Sequence, residues 1–382
     1  MTDYLHALCL FHRDVRLFLV TQASIGFCYF GIYAVLLNLY LLRLDYSLEF
    51  IGLVNAAGSL AFAFSSLTAG LTGQRWGNRR MMIVGTGLSL TGFALLPLIN
   101  SEPVVSRPVW IVATYVLAWF GIAQFVVHGS PFLVASSSPE ERSHVFSLTA
   151  AVLPLAAVAG NLVAGLLPGT FATLLDLSLD QPEPYRYPLL IAPILLVPGI
   201  VSIMVTRKIG TGRPRETSGP ECPAPIALIA LLTLVGLLQR TGDGSTRAFF
   251  NVYMDANLHV STALIGMMSA ASQLVAVLAS LATPLLAARW GVGRTALMGV
   301  LGVGLSLLPL ALIPHCSAAG FGFMMVTGLI SITIPTYIMF NLQIVPPRWQ
   351  TTVSGAGTMA VGLSWGGMAL VGGYIVTALG YR

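Results

Sequence analysis

Four polar residues stand at helical spacing inside an apolar stretch in the middle of the chain. Arg240, Asp243, Arg247 and Asn251 are three, four and four positions apart, so they share one face of a helix. A charged side chain at mid-bilayer costs about 2.5–3.5 kcal/mol, so this face cannot lie against lipid. Two cations beside one anion favour a site for an anionic or zwitterionic solute. The alternative is an ion-pair lock that only orders the helix.

The glycines on either side of Asp243 weaken the helix at this point, as in the discontinuous helices that bind solutes at the middle of a membrane. Gly242 and Gly244 are those neighbours. Asp243 is also a candidate proton carrier. Its two arginine neighbours make it a pairing partner first, and a proton carrier only if one of them moves away.

Two further stretches offer polar side chains within apolar runs. Gln22 and Tyr33 are expected to line a cavity opposite the charged helix. Gln124 and His128 are four residues apart and share a helix face, and a histidine within a membrane can relay protons. A histidine that only satisfies its own hydrogen bonds is the alternative for His128. The sequence leaves two alternatives for Trp365, which faces either the cavity or a neighbouring helix.

The composition excludes an ordinary soluble domain. Among 382 residues, 56% are hydrophobic and 9% are charged, with a mean hydropathy of +0.83; a soluble domain is about a quarter charged. Long apolar runs recur throughout, which is typical of membrane-spanning helices. The sequence therefore predicts an all-α polytopic membrane protein. Eleven spans are expected, near residues 16–42, 50–73, 81–99, 109–135, 145–168, 188–206, 225–254, 262–287, 295–313, 318–344 and 352–378.

The basic residues predict the orientation in the membrane. Of the 19 Lys and Arg residues, two lie in the charged stretch, 13 fall on the side of the N-terminus and four on the other. Because cytosolic loops carry the excess of positive charge, the N-terminus is expected in the cytosol of a multi-pass protein of the cytoplasmic membrane. The net charge of +5 then reflects topology, so no nucleic-acid partner is expected.

The chain contains an internal duplication. Arg75-Trp76-Gly77 returns as Arg289-Trp290-Gly291 at an offset of 214 residues, and residues upstream keep that offset. A polar, Gly/Pro-rich segment separates the two copies. The expected division is a bundle over 1–206, a cytosolic linker over 207–224 and a second bundle over 225–382. The duplication predicts a counterpart of span six, a twelfth span, beyond the eleven that the sequence shows; a shortened gene product and a natural eleven-span variant are the two alternatives.

These features resemble the major facilitator superfamily of secondary transporters. The resemblance rests on the repeated loop motif, a Pro-Glu-Glu-Arg loop after the fourth span and the duplicated bundles. Gln74 and Ala288 stand where the family has Asp. The resemblance implies two pseudo-symmetric six-helix bundles, here with the twelfth helix missing, and loops that gate at the cytosolic face. The expected gating residues are Gly70, Arg75, Gly77, Arg79, Arg80, Arg289, Gly291 and Arg294.

The expected function is secondary active transport of a small solute by alternating access. Neither an enzyme motif, a phosphate loop nor a metal-ligand spacing is present in the sequence. No cofactor and no metal are therefore expected, although transport can be coupled to H⁺ or another ion. The expected partners are the solute and the lipid bilayer, with a monomeric protein. The alternatives are an exporter of apolar, drug-like compounds and a transporter-like sensor without flux, which the missing twelfth span favours.

Overall fold

The computed structural model describes residues 12–101, 103–138, 141–207, 226–346 and 349–380, and within these ranges it contains helices and no β-strand. Eleven of these helices are long and apolar enough to cross a membrane, which confirms the eleven predicted spans. Their bounds are α1 Arg13–Arg43, α2 Leu48–Trp76, α3 Asn78–Leu95, α4 Arg107–Ser136, α5 Arg142–Leu175, α6 Glu183–Val205, α7 Ile226–Asn257, α8 Thr262–Trp290, α9 Val292–Leu312, α10 Cys316–Ile344 and α11 Gln350–Leu379.

The first helix of each sequence repeat is irregular. Helix α1 contains a π-helical segment, Gly26–Tyr33, and α7 is interrupted at Arg240 and ends in a π-turn, Tyr253–Asn257. The interruption precedes Gly242 and Gly244, and both glycines lie within the regular segment Thr241–Val252, so the predicted weakening of the helix beside Asp243 stays a prediction. Such π segments are often found at functional sites.

Contacts divide the chain into two compact units. The first holds the chain up to Leu37 and from Ser65 to the end of α6, and the second holds Asn38–Phe64 together with α7 to α11. The end of α1 and the start of α2 thus pack with the second sequence repeat. The predicted division at 207–224 stays a prediction, because apart from Arg207 that segment lies outside the described residues.

Glycines allow the closest helix contacts in both units. A Cβ on Gly31 of α1 would lie 2.5 Å from Cα of Gly160 in α5. In the second unit, a Cβ on Gly362 of α11 would lie 2.7 Å from Cβ of Ala63. These backbones approach because small residues permit it. The sequence predicts such close packing for the glycines of span eleven, Gly355, Gly362, Gly366 and Gly367, and Gly362 agrees with that prediction.

The same prediction is wrong for two glycines of α11. Gly355 and Gly367 have no neighbouring atom within 4 Å of an added Cβ. Gly367 is exposed, although it corresponds to the tightly packed Gly160 at an offset of 207 residues, the offset that the duplication has in this later part of each repeat. The duplication therefore preserves this glycine where the contact that required it in the first copy is absent.

Candidate functional site

Asp243 is the centre of a charged cluster on α7. Its carboxylate is buried, and both oxygens have a partner. Arg247 Nε donates to Oδ1 at 2.7 Å, and the indole Nε1 of Trp365 in α11 donates to Oδ2 at 2.9 Å. The predicted pairing of Asp243 with Arg247 is thus present. The interaction partner of Trp365, which the sequence left open, is Asp243 on the neighbouring helix α7.

Arg247 is held on two sides. Besides its bond to Asp243, its guanidinium lies over the Trp365 ring, 4.8 Å from the centroid. The Arg247 side chain is nevertheless 39% exposed, against 6% for Asp243. Its terminal nitrogens make no hydrogen bond with a described residue. The geometry therefore orients a guanidinium and leaves its outer edge accessible.

Close packing of α7 against α11 positions Trp365. A Cβ on Gly244 would lie 3.1 Å from Cα of Trp365 and 3.2 Å from the carbonyl oxygen of Ser364. The glycine predicted to weaken α7 therefore also brings α11 within reach of Asp243. Ser364 contributes a buried hydroxyl that has no hydrogen-bond partner among the described residues.

Arg240 lies where α7 is interrupted, directly before the segment Thr241–Val252. It is partly buried, and its side chain forms neither an ion pair nor a hydrogen bond with a described residue, so the predicted pairing of Asp243 is found with Arg247 and not with Arg240. The cluster thus combines two cations and one carboxylate. Asn251, the fourth residue of the predicted face, is buried one turn beyond Arg247.

The polar candidates of α1 are engaged in helix packing. Gln22 Nε2 donates to the carbonyl of Thr149 at 2.8 Å, while its Oε1 is buried without a hydrogen-bond partner among the described residues. The hydroxyl of Tyr33 lies 2.6 Å from the carbonyl oxygen of Phe93 and 2.9 Å from that of Leu189. These contacts tie Tyr33 to α3 and α6, and its predicted role in solute binding stays a prediction.

Gln124 and His128 share a face of α4, as predicted, and both are buried. Gln124 Nε2 donates to Oγ of Ser65 at 2.7 Å. Nδ1 of His128 lies 2.7 Å from the carbonyl oxygen of Gln124. Because a carbonyl only accepts, Nδ1 carries the proton in this arrangement.

The two repeated loops have the same backbone geometry. Gly77 and Gly291 have φ of 83° and 81°, a conformation that glycine adopts readily, and each lies between two consecutive spans. Of the remaining predicted gating residues, Gly70 lies within α2. Four arginines are exposed: Arg75, Arg80, Arg289 and Arg294.

Arg79 differs from these exposed arginines because it reaches the end of α6. Its Nε donates to Oγ1 of Thr206 at 3.1 Å, and its Nη2 donates to the carbonyl of Met204. A cation at this position satisfies carbonyl groups at the negative end of the helix. The first loop is thereby fastened to α6. A gating role for either loop stays a prediction.

A second ion pair joins the ends of α1 and α7 within the second unit. Arg43 Nη1 and Nη2 donate to the two carboxylate oxygens of Asp255 at 2.7 and 2.9 Å. One turn or more away, Asn38 Nδ2 donates to the carbonyl of Ala248 at 2.8 Å. This pair was not among the residues predicted from the sequence. The sequence feature that could have indicated this pair is an Arg and an Asp separated by 212 residues, close to the offset of the duplication.

Within the described residues, no group of three or more His, Cys, Asp and Glu side chains could hold a metal ion. The site is therefore built from two arginines, one carboxylate, an indole and an interrupted helix. Together with eleven candidate membrane spans among the described residues, these features define a class of polytopic helical membrane proteins with a charged cluster on one of the spanning helices.

Sequence comparison identifies the family. The model of the Major Facilitator Superfamily matches residues 18–369, and the chain therefore belongs to this family. A comparison with curated proteins found no match.

Solved transporters share the fold. A point mutant of the nucleoside transporter NupG superposes with a TM-score of 0.76 at 14% identity, over 95% of this chain and 92% of that one. The inward-open xylose transporter XylE from E. coli gives 0.73 at 11%, over 97% and 92%. A bacterial homologue of the human lysosomal transporter Spinster, inward-facing and unoccupied, gives 0.69 at 14%, over 98% and 83%.

The chain is thus a multi-pass secondary transporter of the Major Facilitator Superfamily, a family of transporters rather than enzymes. At these identities the solved structures establish the fold, and they do not identify the solute.

Proposed function

We propose that this transporter moves a small anionic or zwitterionic solute across the cytoplasmic membrane, with its N-terminus in the cytosol. Arg247 binds the charged group of the solute. The observation that supports this proposal is the guanidinium that Asp243 and Trp365 hold on two sides while its terminal nitrogens have no described partner.

The free edge of Arg247 suits carboxylate or phosphate recognition. The terminal nitrogens of a guanidinium form a planar fork that donates two parallel hydrogen bonds to such groups. A side chain that is 39% exposed within a membrane span does not lie in hydrocarbon, because the cost of a charge there is several kcal/mol. We therefore infer that this edge faces water and solute.

The charge balance supports an anionic group. Arg240 and Arg247 carry two positive charges, and Asp243 carries one negative charge, which leaves a surplus of one. Because uncompensated charge is costly inside a protein, an anion at this point stabilises the cluster. An ammonium group of a zwitterionic solute would require a second site.

Export of apolar compounds is the second candidate function. It is favoured by one observation, namely that both oxygens of Asp243 are already bonded, so the acid needs no ligand. In that case, the cluster is an internal lock and apolar solutes bind elsewhere.

Alternating access is part of the proposal and assigns a role to Arg43 and Asp255. With the N-terminus in the cytosol, this pair lies at the outer ends of α1 and α7. The proposed role is that the two helix ends separate at this pair when the transporter opens outward. For coupling to an H⁺ gradient, His128 is the candidate group, since a histidine within a membrane can relay protons.

A ligand screen tests the proposal. The purified protein and the Arg247→Gln variant are heated with carboxylates, amino acids and phosphate esters, with xylose and a nucleoside as neutral probes, and with a set of apolar, drug-like compounds. We expect one charged class to raise the Tm of the parent and not that of the variant, which keeps its fold. Stabilisation of both proteins by apolar compounds, without a response to charged solutes, would favour the second candidate.

A further inference from the structure

An open groove of about 370 Å³ lies where α2 ends and α3 begins. Trp76, Arg80, Ile83 and Val84 line it. Trp76 is 61% exposed, and Val84 is 46% exposed. The groove thus presents one cation and one indole at its rim and an apolar surface along α3.

The length of α2 places this rim at the level of lipid headgroups. The helix has 29 residues and ends at Trp76, which corresponds to about 43 Å. The hydrocarbon core of a bilayer is about 30 Å thick, and about 40–45 Å with its headgroups. Trp76 therefore lies in the interfacial layer, where amphipathic indoles concentrate.

Arg80 makes neither a hydrogen bond nor an ion pair with a described residue. Its neighbour Arg79, by contrast, is bonded to the end of α6. Arg80 is therefore not needed to hold the loop to α6, and its charge is available to a ligand that comes from outside the protein.

The residue types that line the groove recur in the second copy of the duplication, whereas the arginine that is bonded to α6 does not. At the offset of 214, the second copy has an indole, an arginine and two apolar residues at the positions of Trp76, Arg80, Ile83 and Val84. The position of Arg79 is occupied by Gly293. The second set ends a helix of the same length, 29 residues. Its members are exposed as well: Trp290, Arg294, Leu297 and Met298.

We propose that each of these two sets binds one anionic phospholipid. The phosphate of the headgroup pairs with Arg80 or Arg294, the indole of Trp76 or Trp290 packs beside the headgroup, and an acyl chain lies along the apolar pair. Charge complementarity selects an anionic lipid, because a cation at a membrane surface attracts such headgroups. A zwitterionic lipid carries the same phosphate, but its ammonium group offsets that charge, so the arginine attracts it more weakly.

This inference concerns the lipid-facing surface and is independent of the transported solute. A soluble anion would satisfy the arginine alone. It would leave the exposed indole and the apolar pair without contact, and those residues recur together with the arginine in both copies. We therefore assign the site to a lipid rather than to free phosphate.

The experiment is a lipid titration of the delipidated, detergent-purified protein, followed by native mass spectrometry. The probes are phosphatidylglycerol, phosphatidylcholine with the same acyl chains, and inorganic phosphate. The variants are Arg80→Gln, the double variant Arg80→Gln/Arg294→Gln, and Trp76→Leu, which keeps the charge. Arg16→Gln is the matched control, because it removes one exposed arginine from the same predicted side of the membrane.

We expect two phosphatidylglycerol molecules to bind the parent more tightly than phosphatidylcholine. Arg80→Gln should weaken the binding of one of these lipids about fivefold, and the double variant should weaken the binding of both. Trp76→Leu should weaken the binding of one lipid, whereas Arg16→Gln should bind both like the parent. Equal weakening by Arg16→Gln would overturn the proposal, since it indicates bulk charge. Unchanged binding in the double variant, or competition by inorganic phosphate, would overturn it as well.

Discussion

The indole N–H of Trp365 donates to Oδ2 of Asp243 at 2.9 Å, across 122 residues of sequence. Because Arg247 occupies the other oxygen, the indole fixes the direction in which the carboxylate presents the guanidinium. Trp365 also supports the guanidinium from below with its ring. One side chain of α11 thus orients both members of the ion pair on α7.

Replacing Trp365 separates these two contributions. Trp365→Phe keeps an aromatic face under Arg247 and removes the N–H, so we expect a loss of about 1–2 kcal/mol in unfolding free energy for one hydrogen bond to a charged group. Trp365→Ala removes the stacking too and should cost about 1–2 kcal/mol more. Denaturation midpoints in detergent measure both. If the Phe variant were as stable as the parent, the indole N–H would not support Asp243.

Arg43 and Asp255 should show coupling in a double-mutant cycle. Each side chain is largely buried and each single Ala variant leaves the other charge without its bidentate partner. We expect an interaction energy of about 1–3 kcal/mol between the two sites. The exchange Arg43→Asp/Asp255→Arg should recover part of the stability lost in either single reversal. Additive effects of the two Ala substitutions would show that the pair does not fasten α1 to α7.

Neighbouring arginines of the first loop should differ in their effect on stability. Arg79→Ala removes the bonds to Met204 and Thr206 at the end of α6, which we expect to cost about 1–2 kcal/mol. Arg80→Ala removes an exposed side chain of the same type and should change stability by less than about 0.5 kcal/mol in detergent without anionic lipid. Equal effects of the two substitutions on Tm would contradict the role assigned to Arg79.

Two glycines that correspond in the duplication should respond to alanine in opposite ways. In Gly160→Ala the new methyl would lie 2.3 Å from the carbonyl oxygen of Phe27, so we expect a loss of about 1–3 kcal/mol from overpacking. Gly367→Ala meets no atom within 4 Å and should leave Tm unchanged or raise it, since alanine favours a helix by up to about 1 kcal/mol. A destabilised Gly367→Ala variant would reveal a contact that the structure lacks.

The fold could be predicted because its signals can be recognised in the sequence without knowledge of the tertiary contacts. Hydropathy, charge and the duplication each act over long stretches of sequence, and all eleven spans follow from them. Exact bounds were less accessible: α5 extends to Leu175, beyond the expected end near residue 168. Pro168 and Gly169, which suggest a helix end in the sequence, lie inside this helix.

The site could be predicted only in part, because its partners come from distant helices. Helical spacing placed Arg240, Asp243 and Arg247 together, since all three lie on α7. Trp365 could not be paired with Asp243 from the sequence, because which face of α11 meets α7 depends on tertiary packing at Gly244. The hydrogen bonds of the Tyr33 hydroxyl to α3 and α6 also depend on tertiary packing, so they could not be predicted from the sequence.

Solute transport by Arg247 variants tests the central claim most directly. Proteoliposomes containing the parent, Arg247→Lys, Arg247→Gln or the control Arg16→Gln are loaded with the charged solute found in the screen, and exchange with external labelled solute is followed. We expect exchange at the parent's level for Arg16→Gln and no exchange for Arg247→Gln. Arg247→Lys should have a roughly tenfold weaker apparent affinity, because lysine lacks the planar fork of donors. Exchange by Arg247→Gln at the parent's rate and affinity would contradict the assignment of this guanidinium as the solute-binding group.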